Sequence, residues 1–219
     1  MRQRHAAYAA YAAFAACAAC AACAHHATLL PPLPLFPTNN YLLPPVNLLK
    51  LHGVTKQYPG VTALDAVDFS LDAGSVHALV GENGAGKSTL LRIVAGATRP
   101  DAGEIRIEDN PVAFGNPRDS LRSGITVIYQ EQALVSHLGA DANVFLGMEP
   151  SKWGILDLRG MRRLAGEALE ALGFNDDPGA EVAALSVAQR QLVEIARALV
   201  RETRVIALDE PTASLTPHE

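Results

Sequence analysis

Two short stretches of this chain carry residues whose types and spacing suit phosphate chemistry. The first, Gly81–Ser88 (GENGAGKS), has the pattern G-x-x-x-x-G-K-S. Its glycines at 81, 84 and 86 let the backbone turn tightly, so that successive N–H groups face phosphate oxygens. Lys87 then reaches the terminal phosphates as a point charge, and the Ser88 hydroxyl is a ligand for magnesium. The second stretch is the apolar run Val205–Leu208, which ends in Asp209-Glu210. An acid at the carboxyl edge of a core strand beside a phosphate loop holds magnesium, usually through water. A second, adjacent acid can orient and activate an attacking water. Together the two stretches specify hydrolysis of a nucleoside triphosphate.

The elements that must position these groups are legible around them. Leu48–Val54 and Ala66–Leu71 read as short strands joined through the Pro59-Gly60 turn. Val76–Val80 is an apolar run suited to a buried parallel strand, and it feeds the Gly81 loop directly. A helix is expected from Lys87 to about Val94, with its positive end aimed at the anion. Ile105–Ile107 and Ile125–Tyr129 are further strands. Met161, Leu164, Ala168, Leu169 and Leu172 recur at helical spacing. Ser186 is an N-cap for a helix reaching about Val200, whose free N–H groups form a second anion site.

The composition bounds the rest. The chain carries 18 Lys+Arg against 23 Asp+Glu, a net charge of −5, and the stretch after Lys50 alone is at −8. That balance, with aromatics at 5%, argues against a nucleic-acid partner, which needs a basic surface or a stacking platform. It likewise argues against a translation or repair factor. All three cysteines lie at 17, 20 and 23, so the region beyond needs no disulfide framework.

Residues 1–47 are expected to be a low-complexity Ala-rich and Pro-rich extension ahead of a folded domain spanning 48–219. The opening repeats every third residue and so specifies no stable helix face. Met1–His5 followed by Ala6–Ala24 has the outline of a targeting or membrane segment, with Ala22-Cys23-Ala24 as a small-residue cleavage site. The expectation is that it is no functional signal, since an exported ATPase would lack ATP. The cysteines with His25 and His26 have metal-ligand spacing, but they merely continue the Tyr/Phe repeat. Six prolines between 31 and 45 read as an extended linker.

With Tyr58, GENGAGKST at Gly81–Thr89, Tyr129-Gln130-Glu131, LSVAQRQ at Leu185–Gln191 and LDEPTASL at Leu208–Leu215, the stretch from Leu48 to Glu219 resembles an ATP-binding cassette ATPase. The resemblance implies an α/β fold: a P-loop NTPase core with an antiparallel β subdomain and a helical signature subdomain. It implies ATP and Mg2+ as ligands. Tyr58 would stack on adenine; Gly81, Asn83, Gly84, Gly86, Lys87, Ser88 and Thr89 would hold the phosphates. Gln130 would contact the magnesium and the attacking water. Asp209 would support magnesium beside Ser88 and Gln130, and Glu210 would be the general base, with Gln130 and Lys87 completing the catalytic set. Ser186, Ala188 and Gln189 would close over ATP bound to a second cassette in a head-to-tail dimer.

HALVGENGAGKSTLLRIVAG, YQE, DANVFLG and LSVAQRQLVEIARAL further resemble the ATP-binding subunits of bacterial monosaccharide importers, with nucleoside importers the nearest alternative. That implies integral membrane permeases as partners, a periplasmic sugar-binding protein acting through them, and a peripheral position on the cytoplasmic face of the inner membrane. Two departures stand out. Val187 and Ala188 occupy places where the general family signature has glycine; Val187 is ordinary for the sugar group, and with Ala188 closure is expected to be tolerated or modestly weakened. The chain stops before the family's switch histidine and last core strands, so a non-hydrolysing nucleotide-binding module is the second expectation.

Overall fold

The computed structural model describes residues 12–18, 47–129, 133–201 and 203–209. Two sheets and a group of helices are built from them. The first sheet is parallel, in the order β4 (Val76–Gly81), β1 (Ala12–Ala18), β10 (Val205–Asp209), β7 (Ile125–Ile128). The second is antiparallel, in the order β3 (Val61–Asp72), β2 (Asn47–Tyr58), β5 (Ala102–Ile107), β6 (Asn110–Val112). The helices are α1 (Lys87–Val94), α2 (Pro117–Arg122), α3 (Ala140–Phe145), α4 (Leu158–Ala171) and α5 (Val187–Val200), and a small hairpin pairs β8 (Ser151–Lys152) with β9 (Ile155–Leu156). None is long and apolar enough to cross a membrane among the described residues.

The β2–β3 hairpin turns at Pro59-Gly60, with Gly60 at φ 80°. Pro presets the turn and Gly takes the left-handed backbone, as the dipeptide predicts. Leu49, Leu51 and Val54 of β2 and Leu71 of β3 are buried against Leu91, Ile93 and Val94 of α1, and Ile125, Val205 and Ala207 of the parallel sheet close the same core. Each large aliphatic side chain so buried contributes about 1.5–3 kcal/mol. This core seats α1, and with it the loop that opens α1, against both sheets. At the far end of α1, the buried Ser120 hydroxyl of α2 donates to the Val94 carbonyl at 2.7 Å, satisfying a helix-terminal acceptor.

A second core joins α3, α4 and α5 through Val144, Phe145, Met161, Ala165, Leu169, Val193 and Ala196. The α4 stripe differs from the sequence expectation. Met161, Ala165 and Leu169, each four apart, face inward, while Leu164 is 38% exposed. The small Ala165 lets α4 approach its neighbours where the bulkier Leu164 cannot. Helix α5 belongs to two cores, because Ala198 packs with Ile128 and Ile206 and with the half-buried Ile195 and Leu199.

One further expectation is corrected, and one strand lies where none was expected. Strand β4 forms where expected but is not buried on both faces: Val76 and Val80 are 79% and 71% exposed, whereas Leu79 packs on the first core. Strand alternation puts Val76, Ala78 and Val80 on one face, and α1 covers only the other. Strand β1 lies within the stretch expected to be an extension. Its backbone pairs in parallel with both neighbours, Ala15 standing opposite Ala78 and Leu208. The physical reason is the gap: β4 and β10 are not paired to each other, and the intervening strand meets the inward edges of both. A three-residue repeat is no obstacle, since backbone pairing needs no periodic face. The targeting outline outside 12–18, and Cys20, Cys23, His25 and His26, lie outside the described residues.

Candidate functional site

The loop from Gly81 to Ser88 leaves the carboxyl end of β4 and enters α1 at Lys87. Gly84 and Gly86 both take left-handed backbone, φ 87° and 88°, as their places in the pattern require. Their surroundings differ. A Cβ on Gly84 would meet nothing within 4 Å, while one on Gly86 would lie 2.4 Å from the Ala63 carbonyl oxygen and 2.8 Å from Leu64 Cδ2. Gly86 is therefore where the β3 backbone presses on the phosphate loop. Gly84→Ala is expected to cost about 1–2 kcal/mol for the left-handed backbone alone. Gly86→Ala adds a clash with backbone worth about 1–3 kcal/mol more. Urea midpoints of the two variants check the difference, and equal midpoints would refute it.

Lys87 Nζ donates to the carbonyl oxygens of Gly81 (2.6 Å) and Glu82 (3.0 Å), so the ammonium lies across the loop it serves. Asn83 is exposed at the loop tip, and Thr89 is half-buried in the first turn of α1. The Ser88 hydroxyl donates to Asp209 Oδ1 at 3.3 Å. This contact joins the two stretches singled out from sequence across 121 residues, at the carboxyl edge of the parallel sheet. A hydroxyl and a carboxylate oxygen so placed are hard donors of the kind magnesium takes, and the pair fits that ion. Among the described residues no cluster of three His, Cys, Asp or Glu forms another metal site. Tyr58, 40% exposed, ends β2 with Lys56 Nζ 5.6 Å from its ring centroid. Gln130 and Glu210 lie outside the described residues; Tyr129 and Asp209 immediately precede them.

Ser186 is the N-cap of α5 in a capping box: its hydroxyl accepts from the Gln189 N–H at 3.2 Å, and its own N–H donates to Gln189 Oε1 at 2.8 Å. Gln189 Nε2 also donates to Asp176 Oδ2. Gln189 is thus a structural partner of the cap here, which the S-x-x-Q spacing signals. Ala188 lies within α5 and is absent from the left-handed residues, so the missing glycine costs no backbone strain in this conformation. The helix start sits on the second core, and the phosphate loop sits on the first.

Sequence reasoning missed the cluster between these regions. Asn143 of α3, fully buried, bonds the backbone of Val135, Leu138 and Gly139. Glu194 accepts from the Ala133 N–H, and Arg197 donates to the Ala133 and Asn143 carbonyls. The DANVFLG run holds the Asn, but its partners are backbone groups that no pattern announces. Alongside lies a groove of about 540 Å³ lined by Arg92, Tyr129, Glu194, Arg197 and Arg201.

Burial pushes the Glu194 carboxyl upward, against the smaller opposing effects of the Ala133 N–H and Arg197. A folded pKa above the unfolded one means the folded state holds the proton more tightly, so ionised Glu194 costs stability. That cost is absent below the ordinary glutamate value near 4.5 and grows as pH rises from there to the folded pKa. Glu194→Gln keeps an acceptor and removes the titration. Its melting temperature relative to the unaltered protein should therefore rise across that window, and a pH-independent difference would refute the assignment.

A family model described as "ABC transporter" matches residues 64–213. Over 172 residues the chain is 52% identical to "Ribose import ATP-binding protein RbsA 1" of Rubrobacter xylanophilus, covering 78% of this chain and 34% of that protein. It is 49% identical to "Arabinose import ATP-binding protein AraG" of Azospirillum brasilense, covering 78% and 33%. The chain thus spans about a third of the length of the curated relatives it matches. Among solved structures it matches a nucleotide-free ATP-binding cassette from an ABC transporter, with TM-score 0.68 and 27% identity over 78% of this chain and 72% of that one. It also matches cbiO1 from Clostridium perfringens, part of the ABC transporter complex cbiONQ, with TM-score 0.67 and 29% identity over 78% and 68%.

Proposed function

Because the chain belongs to the ABC transporter family, we propose that it binds and hydrolyses ATP to energise import of a monosaccharide through a membrane permease. The observation that carries the hydrolytic part is the Ser88–Asp209 contact at the mouth of the glycine loop. It gathers the hydroxyl, the carboxylate and the Lys87 ammonium at one sheet edge, where a triphosphate can lie on the first turn of α1. The sugar assignment is supported by the ribose and arabinose import relatives at 52% and 49% identity.

The chain's own groups divide the work. The loop N–H groups and the α1 N-terminus hold the β- and γ-phosphates, and Lys87 moves from the Gly81 and Glu82 carbonyls onto them. Ser88 and Asp209, with Gln130, would hold magnesium, which when bound neutralises charge on the phosphate oxygens. Glu210, next in sequence to Asp209, accepts a proton from the attacking water. Tyr58 offers an exposed ring for adenine. Ser186, Ala188 and Gln189 would face the nucleotide of a second cassette in a head-to-tail dimer, a role that the family likeness supports.

The folded domain in this reading spans 48–219, with β1 of the preceding stretch added to its sheet. The permease docks over the groove beside Tyr129, which lies next to the segment that follows Gln130. The protein accordingly sits on the cytoplasmic face of the inner membrane, and a periplasmic sugar-binding protein acts through the permease alone. Magnesium-dependent phosphate release from ATP by the full chain tests the reading. Release per molecule of protein that rises with protein concentration supports paired cassettes, and absence of ATP binding at millimolar nucleotide overturns it.

A further inference from the structure

We infer that Asn143, Glu194 and Arg197 form a clamp that fixes the segment leaving Gln130 to helix α5, so that displacement of Ala133 is delivered to the α5 start at Ser186. The clamp takes hold of Ala133 from both sides. Its N–H donates to Glu194 Oε1 at 2.9 Å, and its carbonyl accepts from Arg197 Nη1 at 3.2 Å. Residues 194 and 197 stand about one turn apart on α5 and so share a face. Ala133 is the third residue after Gln130.

Asn143 locks the rest of the loop. Its side-chain oxygen accepts from the Val135 N–H at 2.8 Å and from Arg197 Nη2 at 3.4 Å. Its amide nitrogen reaches the carbonyls of Val135 (3.0 Å), Gly139 (3.1 Å) and Leu138 (3.3 Å). Arg197 Nε returns to the Asn143 carbonyl at 2.8 Å, which closes the ring of contacts between loop, α3 and α5. Every polar function of the Asn143 amide is engaged with no exposure to water. In such surroundings an abandoned partner is costly, so the loop and α5 move together more readily than apart. Helix α5 is a rod of 14 residues, with Ser186 at one end and the sheet contact of Ala198 toward the other. The three are positioning residues, since none of them is placed on the nucleotide.

The proposal rests on the reading that Gln130 and Ser186 serve ATP, but its test needs no nucleotide, so failure of ATP binding would count against that reading alone. Hydrogen exchange is followed by mass spectrometry in the full chain and in Asn143→Ala, Glu194→Ala and Glu194→Gln. The expected result is exchange at least tenfold faster in Asn143→Ala and Glu194→Ala, both over 133–139 and over the Gln189–Val193 turn of α5. Glu194→Gln, which retains an acceptor for the Ala133 N–H, should keep exchange within threefold of the unaltered protein over both segments. Acceleration confined to the loop, or equal acceleration in the Gln and Ala variants, would overturn the clamp. Should Asn143→Ala fail to fold, the Glu194 pair decides the matter alone.

Discussion

Replacing Glu210 by Gln is expected to leave MgATP affinity within about threefold and to lower turnover by about 100- to 10,000-fold, the range for loss of a general base. The amide keeps the size and one acceptor oxygen of the carboxylate but cannot take the proton of the attacking water. Asp209 and Ser88, already in contact at 3.3 Å, remain to hold the metal, so binding survives. Single-turnover phosphate release beside equilibrium nucleotide binding separates the two effects. Equal turnover in the variant would show that another group takes the proton, and parallel loss of binding would move Glu210 into the nucleotide-holding set.

Lys87→Ala is expected to weaken ATP binding about 100- to 1,000-fold while changing stability little. A hydrogen bond to a charged group contributes about 1.5–3 kcal/mol. Losing a lysine that bonds two phosphate oxygens therefore removes about 3–4 kcal/mol, with each 1.4 kcal/mol worth a factor of ten. Without nucleotide the same ammonium touches only the carbonyls of Gly81 and Glu82, in a loop that is largely exposed to water. Those carbonyls can turn to solvent, so the unfolding midpoint should fall by no more than about 1 kcal/mol of stability. Calorimetric titration with ATP and with AMP checks the assignment. AMP has no terminal phosphates, and its weaker binding should be insensitive to the substitution. A loss shared equally by AMP would mean that Lys87 holds up the loop and does not grip phosphate.

The glycine loop, its flanking strand and helix, and the strand ending at Asp209 were legible from the chain order of residues, because their conformations depend on local backbone. Glycines at 84 and 86 announce left-handed turns, Lys87 starts a helix that ends at Val94 as expected, and an apolar run ending in an acid marks a strand edge. The Ser186 cap was legible for the same reason, since a capping box is complete within four residues. The proposed link between these local pieces and transport rests on family likeness, not on spacing.

Tertiary structure alone decided how those pieces meet. That Ser88 touches Asp209 follows from two strands lying in one sheet, with a third, Ala12–Ala18, between them. No local signal in an Ala-rich repeat distinguishes an interior strand from a tail, because the pairing energy resides in the edges of β4 and β10. The outward face of β4 was hidden for a related reason: Val76 and Val80 look like core residues until the position of α1 shows which side is covered. The Asn143–Glu194–Arg197 cluster belongs to the same class. Its partners are mostly backbone groups of a loop folded against α3 and α5, and only the packing of those elements creates the dry setting in which they bind one another.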